Sequence, residues 1–322
     1  MPFFSVVMPV YNKGPHVARA IRSVLDQTFD DFELILINDA STDNSLEEMT
    51  KFVDSRIRLL HRQEPGPGGY AARNFGIREA QTEWVAFLDA DDEWFTDHLE
   101  KMRALLSVFP EAGFLSCGWL NDNGKTSRVD RYYETFSGKR SHTISCADYF
   151  GFFLKGMKPV WTGTVVFNKS APFSGSLFPE DKKELKTGGD LYAWSRLICW
   201  FREMAWSPHL AGVYHRDSVN MVTRTERASP EGQKAGTEEI LEGVSSPDER
   251  RLIKKVHNHL LFNLLKMRAA ENNGSFPVFK YLYFDVDLFR GLFWSVFSLL
   301  PNSISSFLIQ KYRKEKGFLR GE

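Results

Sequence analysis

Residues 84–94 read Trp84-Val85-Ala86-Phe87-Leu88-Asp89-Ala90-Asp91-Asp92-Glu93-Trp94. Five apolar residues in a row suit a strand buried on both faces, as in a parallel sheet. The aspartates follow where the chain leaves the sheet. In open parallel sheets, ligands bind beyond the carboxyl ends of the strands, where strand order reverses. Asp89 and Asp91 are two residues apart, so in extended chain their side chains point the same way. Crowded carboxylates repel unless a hard divalent cation sits among them, and oxygen donors of this kind suit Mg²⁺ or Mn²⁺. Such a cation would offset the charge of a departing diphosphate. The plainer reading is that these acids favour the N-terminus of the next helix, near Asp97. The run Asp-Ala-Asp-Asp behind a buried strand favours the ion.

Upstream, the pattern alternates strand and helix. Phe3–Val10 is a nearly continuous apolar run. Val17, Ile21, Val24 and Leu25 follow at helical spacing, with Asn12 placed to cap them. Phe32–Ile37 is a second strand, and Leu46, Met49 and Phe52 mark a second helix. Arg56–Leu60 is a third strand, and a helix runs over about 97–109. This alternation predicts right-handed crossovers and a mostly parallel α/β sheet flanked by helices. After residue 110 the rhythm breaks. Ala112–Gly118, Arg128–Phe136 and Val160–Phe167 read as strands, and Ala147–Leu154 and Asp190–Trp200 as helices.

Composition narrows the function. Forty-one Lys+Arg balance forty-one Asp+Glu in 322 residues, which excludes a general electrostatic binder of nucleic acid. An aromatic content of 14% excludes a mostly disordered chain. Cys117, Cys146 and Cys199 are far apart and in no metal-binding pairs, so a reducing cytoplasm is the expected compartment. The first residues carry no signal-peptide pattern, and no run of 18 uncharged apolar residues predicts a membrane span.

The loop Glu64-Pro65-Gly66-Pro67-Gly68-Gly69-Tyr70-Ala71-Ala72-Arg73-Asn74 allows two readings. Gly66, Gly68 and Ala71 match a dinucleotide fingerprint after a strand, and Asp89 lies where a ribose-binding acid would. That reading predicts an NAD(P)-dependent oxidoreductase. Against it, the fingerprint falls on the third strand, and Asp91 and Asp92 would add uncompensated negative charge beside a pyrophosphate. In the other reading the glycines admit a nucleotide and Arg73 contacts its base or phosphate.

Several ordered motifs carry a family resemblance over about residues 4–110. They are Val6-Val7-Met8-Pro9-Val10-Tyr11-Asn12, Ala20–Thr28, Phe32–Asp43 with Asn38-Asp39-Ala40-Ser41-Thr42-Asp43, Ala71–Ile77, and Phe87–Trp94. Together they resemble the family 2 glycosyltransferases of GT-A fold. The resemblance implies a nucleotide-diphosphate sugar donor, often a UDP-sugar, and inversion at the anomeric carbon. It places Pro9, Tyr11 and Asp39 in the nucleoside pocket, Arg73 on base or phosphate, Asp89 on ribose or metal, and Asp91 on the metal. Asn38 departs from the Asp more usual there.

The family also has a later acidic motif carrying the catalytic base. Its counterpart is Thr187-Gly188-Gly189-Asp190-Leu191-Tyr192, with Gly189 where Glu is common and Asp190 as base. A carboxylate at a helix start can take the acceptor hydroxyl's proton; the plainer reading is an N-cap. Glu180, Asp181 and Glu184 are rival bases. Val213–Ser218 resembles the family's closing strand and loop, with His215 reaching the metal and Arg216 the diphosphate. Trp119 and Trp161 are placed to shape the acceptor cleft. A non-catalytic nucleotide-sugar-binding homologue would share these motifs.

The expected organisation is a GT-A-like domain over 1–224, with a nucleotide half (1–110) and an acceptor half (111–224). A polar connection spans 225–249, and a helical extension spans 250–322. Residues 276–322 are rich in Phe, Leu, Tyr and Trp, and Lys311, Arg313, Lys314, Lys316 and Arg320 outnumber Glu315 and Glu322. That composition suits an interfacial helix on the inner face of a membrane, and equally a helix packed on the domain or at a dimer interface. The expected partners are a UDP-sugar and a glycan or lipid-linked acceptor.

Overall fold

The computed structural model describes residues 2–170, 176–182, 184–185, 187–219, 228–271 and 276–320. The chain divides into two compact units, Met1–Arg227 and Ala228–Glu322.

In the first unit the elements run β1 (Phe4–Val10), α1 (Gly14–Leu25), β2 (Phe32–Asp39), α2 (Ser45–Thr50), β3 (Ile57–Arg62), α3 (Tyr70–Glu79), β4 (Trp84–Phe87), β5 (Glu93–Trp94), α4 (His98–Val108), β6 (Phe114–Asp122), β7 (Ser127–Val129), α5 (Arg131–Phe136), β8 (His142–Ser145), α6 (Cys146–Leu154), β9 (Val166–Asn168), α7 (Gly189–Phe201) and β10 (Glu203–His215). Among the described residues the strands form one sheet, ordered β3-β2-β1-β4-β9-β6-β10-β5. β1 pairs in parallel with β2 and with β4, so strand order reverses at β1. β9 runs antiparallel between β4 and β6, and β10 is parallel to β6. β1 and β2 are buried almost throughout because helices cover both faces, which is why they read as unbroken apolar runs. Val6, Met8, Leu34, Leu36, Ala86 and Leu88 share one core with Val17, Ile21 and Leu99 from α1 and α4.

The second half of this unit departs from the expectation in three places. The expected strand over 128–136 is a short strand and then a helix, because the Asp130 carboxylate accepts the Tyr133 amide at 2.8 Å and starts α5. The expected strand over 160–167 is interrupted by a 3₁₀ turn at Thr162–Thr164 and pairs only from Val166. β5 went unread because two residues carry no period, yet it pairs antiparallel with Gly212 and Val213 of β10. Gly212 is required there: a Cβ would lie 1.9 Å from the Glu93 carbonyl oxygen. Asn12 does not cap α1. Its Oδ1 accepts the Thr42 amide at 2.8 Å, tying the end of β1 to the loop after β2.

The second unit is helical: α8 (Pro230–Glu242), α9 (Pro247–Ala270), α10 (Leu288–Ser298) and α11 (Asn302–Arg320). α8 lies inside the stretch read as a polar connection. Ser229 caps it by accepting the Gly232 amide at 3.1 Å, with Pro230 at the first helical position. Ser246 and Pro247 start α9 in the same way. Leu261, Phe262 and Leu265 of α9 pack with Phe276, Val278, Trp294 and Phe297, and Phe262 stacks on Trp294. No described helix is long and apolar enough to cross a membrane.

Candidate active site

The strand ends at the reversal point carry the site. β4 hands over to Leu88, whose amide still pairs with the Val7 carbonyl, and Asp89 comes next. α3 packs against β1 and β2 and presents Arg73 from its first turn. The Arg73 guanidinium is buried, donates to Asp89 Oδ1 at 2.5 Å and to the Gly68 carbonyl at 3.0 Å, and lies over the Phe178 ring at 5.5 Å. Its other neighbour is Asp190 Oδ1 at 3.6 Å. One cation therefore joins the acid at the end of β4 to the acid at the start of α7, 101 residues downstream by number (190 − 89). Burial works against the Arg73 charge, but the two carboxylates outweigh it and hold the group firmly protonated.

Asp190 is half exposed as a side chain, yet its Oδ1 is buried and accepts no hydrogen bond among the described residues. Burial raises its pKa, Arg73 pulls it back, and Asp89 pushes it up. Tyr70 explains the glycine beside it. The Gly189 amide donates to the Tyr70 hydroxyl at 2.9 Å, and a Cβ on Gly189 would lie 2.4 Å from Tyr70 Cζ. The Tyr70 ring fills the space a larger residue at 189 would need. Phe178, stacked on Tyr70, is held by Asn74, which donates to the Phe178 carbonyl and accepts its amide, both at 2.9 Å.

Asp91 has a different partner. Its Oδ2 lies 2.6 Å from Lys13 Nζ, both side chains being largely buried, and its carbonyl accepts from Arg19. Lys13 also donates to the Val219 carbonyl at 2.7 Å. Asp92 is fully buried. Its Oδ1 accepts the His215 amide at 2.8 Å, while Oδ2 has no partner among the described residues. Burial, followed by Asp91 and Asp89, pushes its carboxyl well above the usual range. The His215 imidazole does not join Asp89 and Asp91. Its Nε2 lies 3.0 Å from Glu93 Oε1.

Asp39 is buried, bound to Arg62 and to the Gly66 amide at 3.2 Å, so it anchors the glycine loop. Burial raises its pKa against the opposing Arg62 charge. Asn38 Oδ1 accepts the Ser41 amide at 3.1 Å, a task Asp would also perform. Pro9 borders Gly69, and Tyr11 is exposed at the end of β1. Trp119, Trp161 and Tyr214 form an aromatic row, with ring centroids 6.2 and 5.6 Å apart. Burial first, then Asp92, Asp89 and Asp91, pushes the Tyr214 hydroxyl up to about 12. The row thus lies within the field of the acidic edge. Of the rival bases, Glu180 is held by Ser176 at 2.5 Å and Arg78 at 3.4 Å, while Asp181 and Glu184 are exposed.

Asp89 and Asp91 carry oxygen donors of the type hard cations take, but here Asp89 Oδ1 faces Arg73 and Asp91 Oδ2 faces Lys13, so a cation would have to displace or share these partners. Among the described residues the group of three or more His, Cys, Asp or Glu whose ligand atoms all lie within 4.8 Å of one another is the buried His98, Cys117 and His209. Its imidazoles and thiol are softer than the oxygens Mg²⁺ or Mn²⁺ prefer, and neither Asp89 nor Asp91 belongs to it.

A mostly parallel sheet that reverses at β1 and is flanked by helices, with acids at its strand ends, has the architecture of a GT-A fold. Residues 5–156, just under half of the chain, match the model of glycosyl transferase family 2. It is 34% identical over 195 residues to an uncharacterized glycosyltransferase of Rickettsia bellii, covering 59% of this chain and 25% of the relative. It is 38% identical over 102 residues to the UDP-Glc:alpha-D-GlcNAc-diphosphoundecaprenol beta-1,3-glucosyltransferase WfgD of Escherichia coli, covering 32% and 40%. The chain therefore spans well under half of these relatives. The fold is similar to that of TarS 1–349 from S. aureus in complex with UDP-GlcNAc, with TM-score 0.65 at 15% identity over 99% of this chain and 92% of that one.

Residues that sequence reasoning missed are Lys13, Arg19, Arg62, Tyr70 and Glu93. Lys13, at the end of the first motif, carried the only readable signal, a cation beside a strand end. The others are set by packing across distant elements.

Proposed function

We propose that the protein transfers a sugar, with inversion, from a nucleotide-diphosphate donor to a glycan or lipid-linked glycan acceptor in cell-surface polysaccharide synthesis. A UDP-sugar is the donor favoured by the family resemblance and by the relative named for UDP-Glc. The observation that carries the reading is the Asp89–Arg73–Asp190 cluster. It brings an acid at the nucleotide-binding strand end and an acid from the second half of the unit onto one buried cation.

Asp190 is the base in this reading. Its raised pKa lies nearer neutrality than that of a solvated aspartate, and the side chain is partly exposed while Oδ1 faces Arg73, which suits removal of a proton from the incoming hydroxyl. Arg73 holds Asp190 ionised and fixes Asp89 toward the ribose. Pro9 and Tyr11 line the nucleoside side, and Asp39 acts there through the glycine loop it anchors. Asp91, with Asp89, would hold a Mn²⁺ or Mg²⁺ that offsets the charge of the departing diphosphate. Lys13, already on Asp91, and the exposed Arg216 add positive charge on the same side. The aromatic row at Trp119 and Trp161 offers flat faces for acceptor rings. A cytoplasmic enzyme working at the inner membrane face would meet such a lipid-linked acceptor.

Thermal-shift measurements with UDP-, GDP- and dTDP-sugars, with and without Mn²⁺, test the reading. One UDP-sugar should stabilise the protein in the presence of Mn²⁺. Asp190→Asn should keep that stabilisation and lose transfer and donor hydrolysis by about 10²-fold or more. Full turnover in Asp190→Asn removes this residue as base, and no response to any nucleotide sugar removes the function.

A further inference from the structure

The charge-free segment 291–310 is exposed in a pattern that soluble packing does not explain. α10 buries Gly291, Trp294, Phe297 and Ser298 on one face. Its opposite face is also apolar and lies open: Leu288, Phe289 (86% exposed), Leu292, Phe293 (62%), Val296 (66%) and Leu299 (67%). Ile304, Phe307 (64%), Leu308 and Tyr312 are likewise open on α11. The open apolar area is on the order of 1,000 Å², above the roughly 300–600 Å² of the largest patch on a typical monomer. No Asp, Glu, Lys or Arg occurs between Gly291 and Gln310.

We infer that this face is a docking surface for an anionic bilayer, with α10 and the first turns of α11 lying in the interface plane. Neither helix is both long and apolar enough to span a bilayer, and Pro301 separates them. Charge chooses the occupant. Arg290 stands exposed at one end of the patch and Lys311 at the other, and the sequence continues with Arg313, Lys314, Lys316 and Arg320. Asp285 pairs with Lys254 at 2.7 Å; Asp287, 3.9 Å from Arg290, offsets part of that cation's charge, so most of the positive excess comes from Lys311 and the sequence after it. A cation-rimmed apolar face is complementary to anionic lipid headgroups above acyl chains. Against a second copy it would set like charges face to face, because a two-fold contact puts the same patch on both sides. The inference is independent of the sugar-transfer reading.

Co-sedimentation of the full chain with vesicles tests it, using phosphatidylcholine alone and phosphatidylcholine with about one-third phosphatidylglycerol. Binding should favour the anionic vesicles at least tenfold and weaken as salt rises. The variant Phe289→Ser/Phe293→Ser/Phe307→Ser, altered only at exposed positions, should melt like the parent and lose at least tenfold in vesicle binding. Absence of binding to anionic vesicles, or equal binding by the triple variant, overturns the inference. So does concentration-dependent dimerisation that the triple variant abolishes without any vesicle binding, which assigns the face to a second copy.

Discussion

Replacing Arg73 by Met isolates the cluster on which the site rests. Met keeps much of the stem's volume against Phe178 but leaves Asp89 and Asp190 facing each other without the guanidinium. Removing one partner of a buried ion pair costs about 3–5 kcal/mol, whereas exposed pairs contribute about 0–1. Arg73 is buried, while Asp89 and Asp190 are 26% and 44% exposed as side chains, so about 2–3 kcal/mol is expected. For a unit of this size that lowers the melting temperature by about 5–10 °C. The loss should depend on pH. Without Arg73, which now pulls it down, the Asp190 carboxyl has a folded-state pKa further above its unfolded one, so the folded state binds more protons and regains stability as pH falls. The gap between variant and parent should therefore be wider at about pH 8 than at about pH 5. Thermal unfolding at both pH values measures it. A shift under about 1 °C, or a gap that ignores pH, would show that Arg73 is not the counter-charge of these acids.

Gly189→Glu should destabilise the first unit by about 1–3 kcal/mol through collision with the Tyr70 ring. In a double-mutant cycle with Tyr70→Ala the two losses should be coupled by at least about 1 kcal/mol, and simple additivity in urea unfolding would refute the steric account. In the second unit, His257 is buried between Thr237 and the Tyr281 carbonyl, and burial lowers its pKa to about 4. Its unfolded state binds the proton more readily, so the stability it contributes is complete above about pH 6.5 and drains away as pH falls toward 4. His257→Gln should flatten that acid limb, and an unchanged limb assigns the pH dependence elsewhere.

The first half of the chain was legible because its strands are buried on both faces and its helices carry clear periods. β1, β2 and β4 needed nothing but apolar runs, and the aspartates stood where those runs stopped. The second half was harder because its elements answer to local capping and long-range pairing. Asp130 starts a helix that Tyr132 and Tyr133 alone would not suggest, and β5 exists only because β10 passes beside it. The acids of the site could be read from position, but not their partners. Nothing in the spacing says that Lys13 meets Asp91, that His215 turns to Glu93, or that Asp39 is spent on Arg62. The glycine at 189, an oddity in sequence, became intelligible only once Tyr70 was seen beside it.

The bond from the His215 amide to Asp92 joins residues 123 positions apart, and β5 closes on β10 across nearly the same interval. Chain emerging from a ribosome at about 5–20 residues per second takes roughly 6–25 s to cover that distance. For that time a nascent chain can lay down its first parallel strands while the segment holding the aspartates has no neighbour to clamp it. The acidic corner is thus completed only in chains whose later strand has already come home.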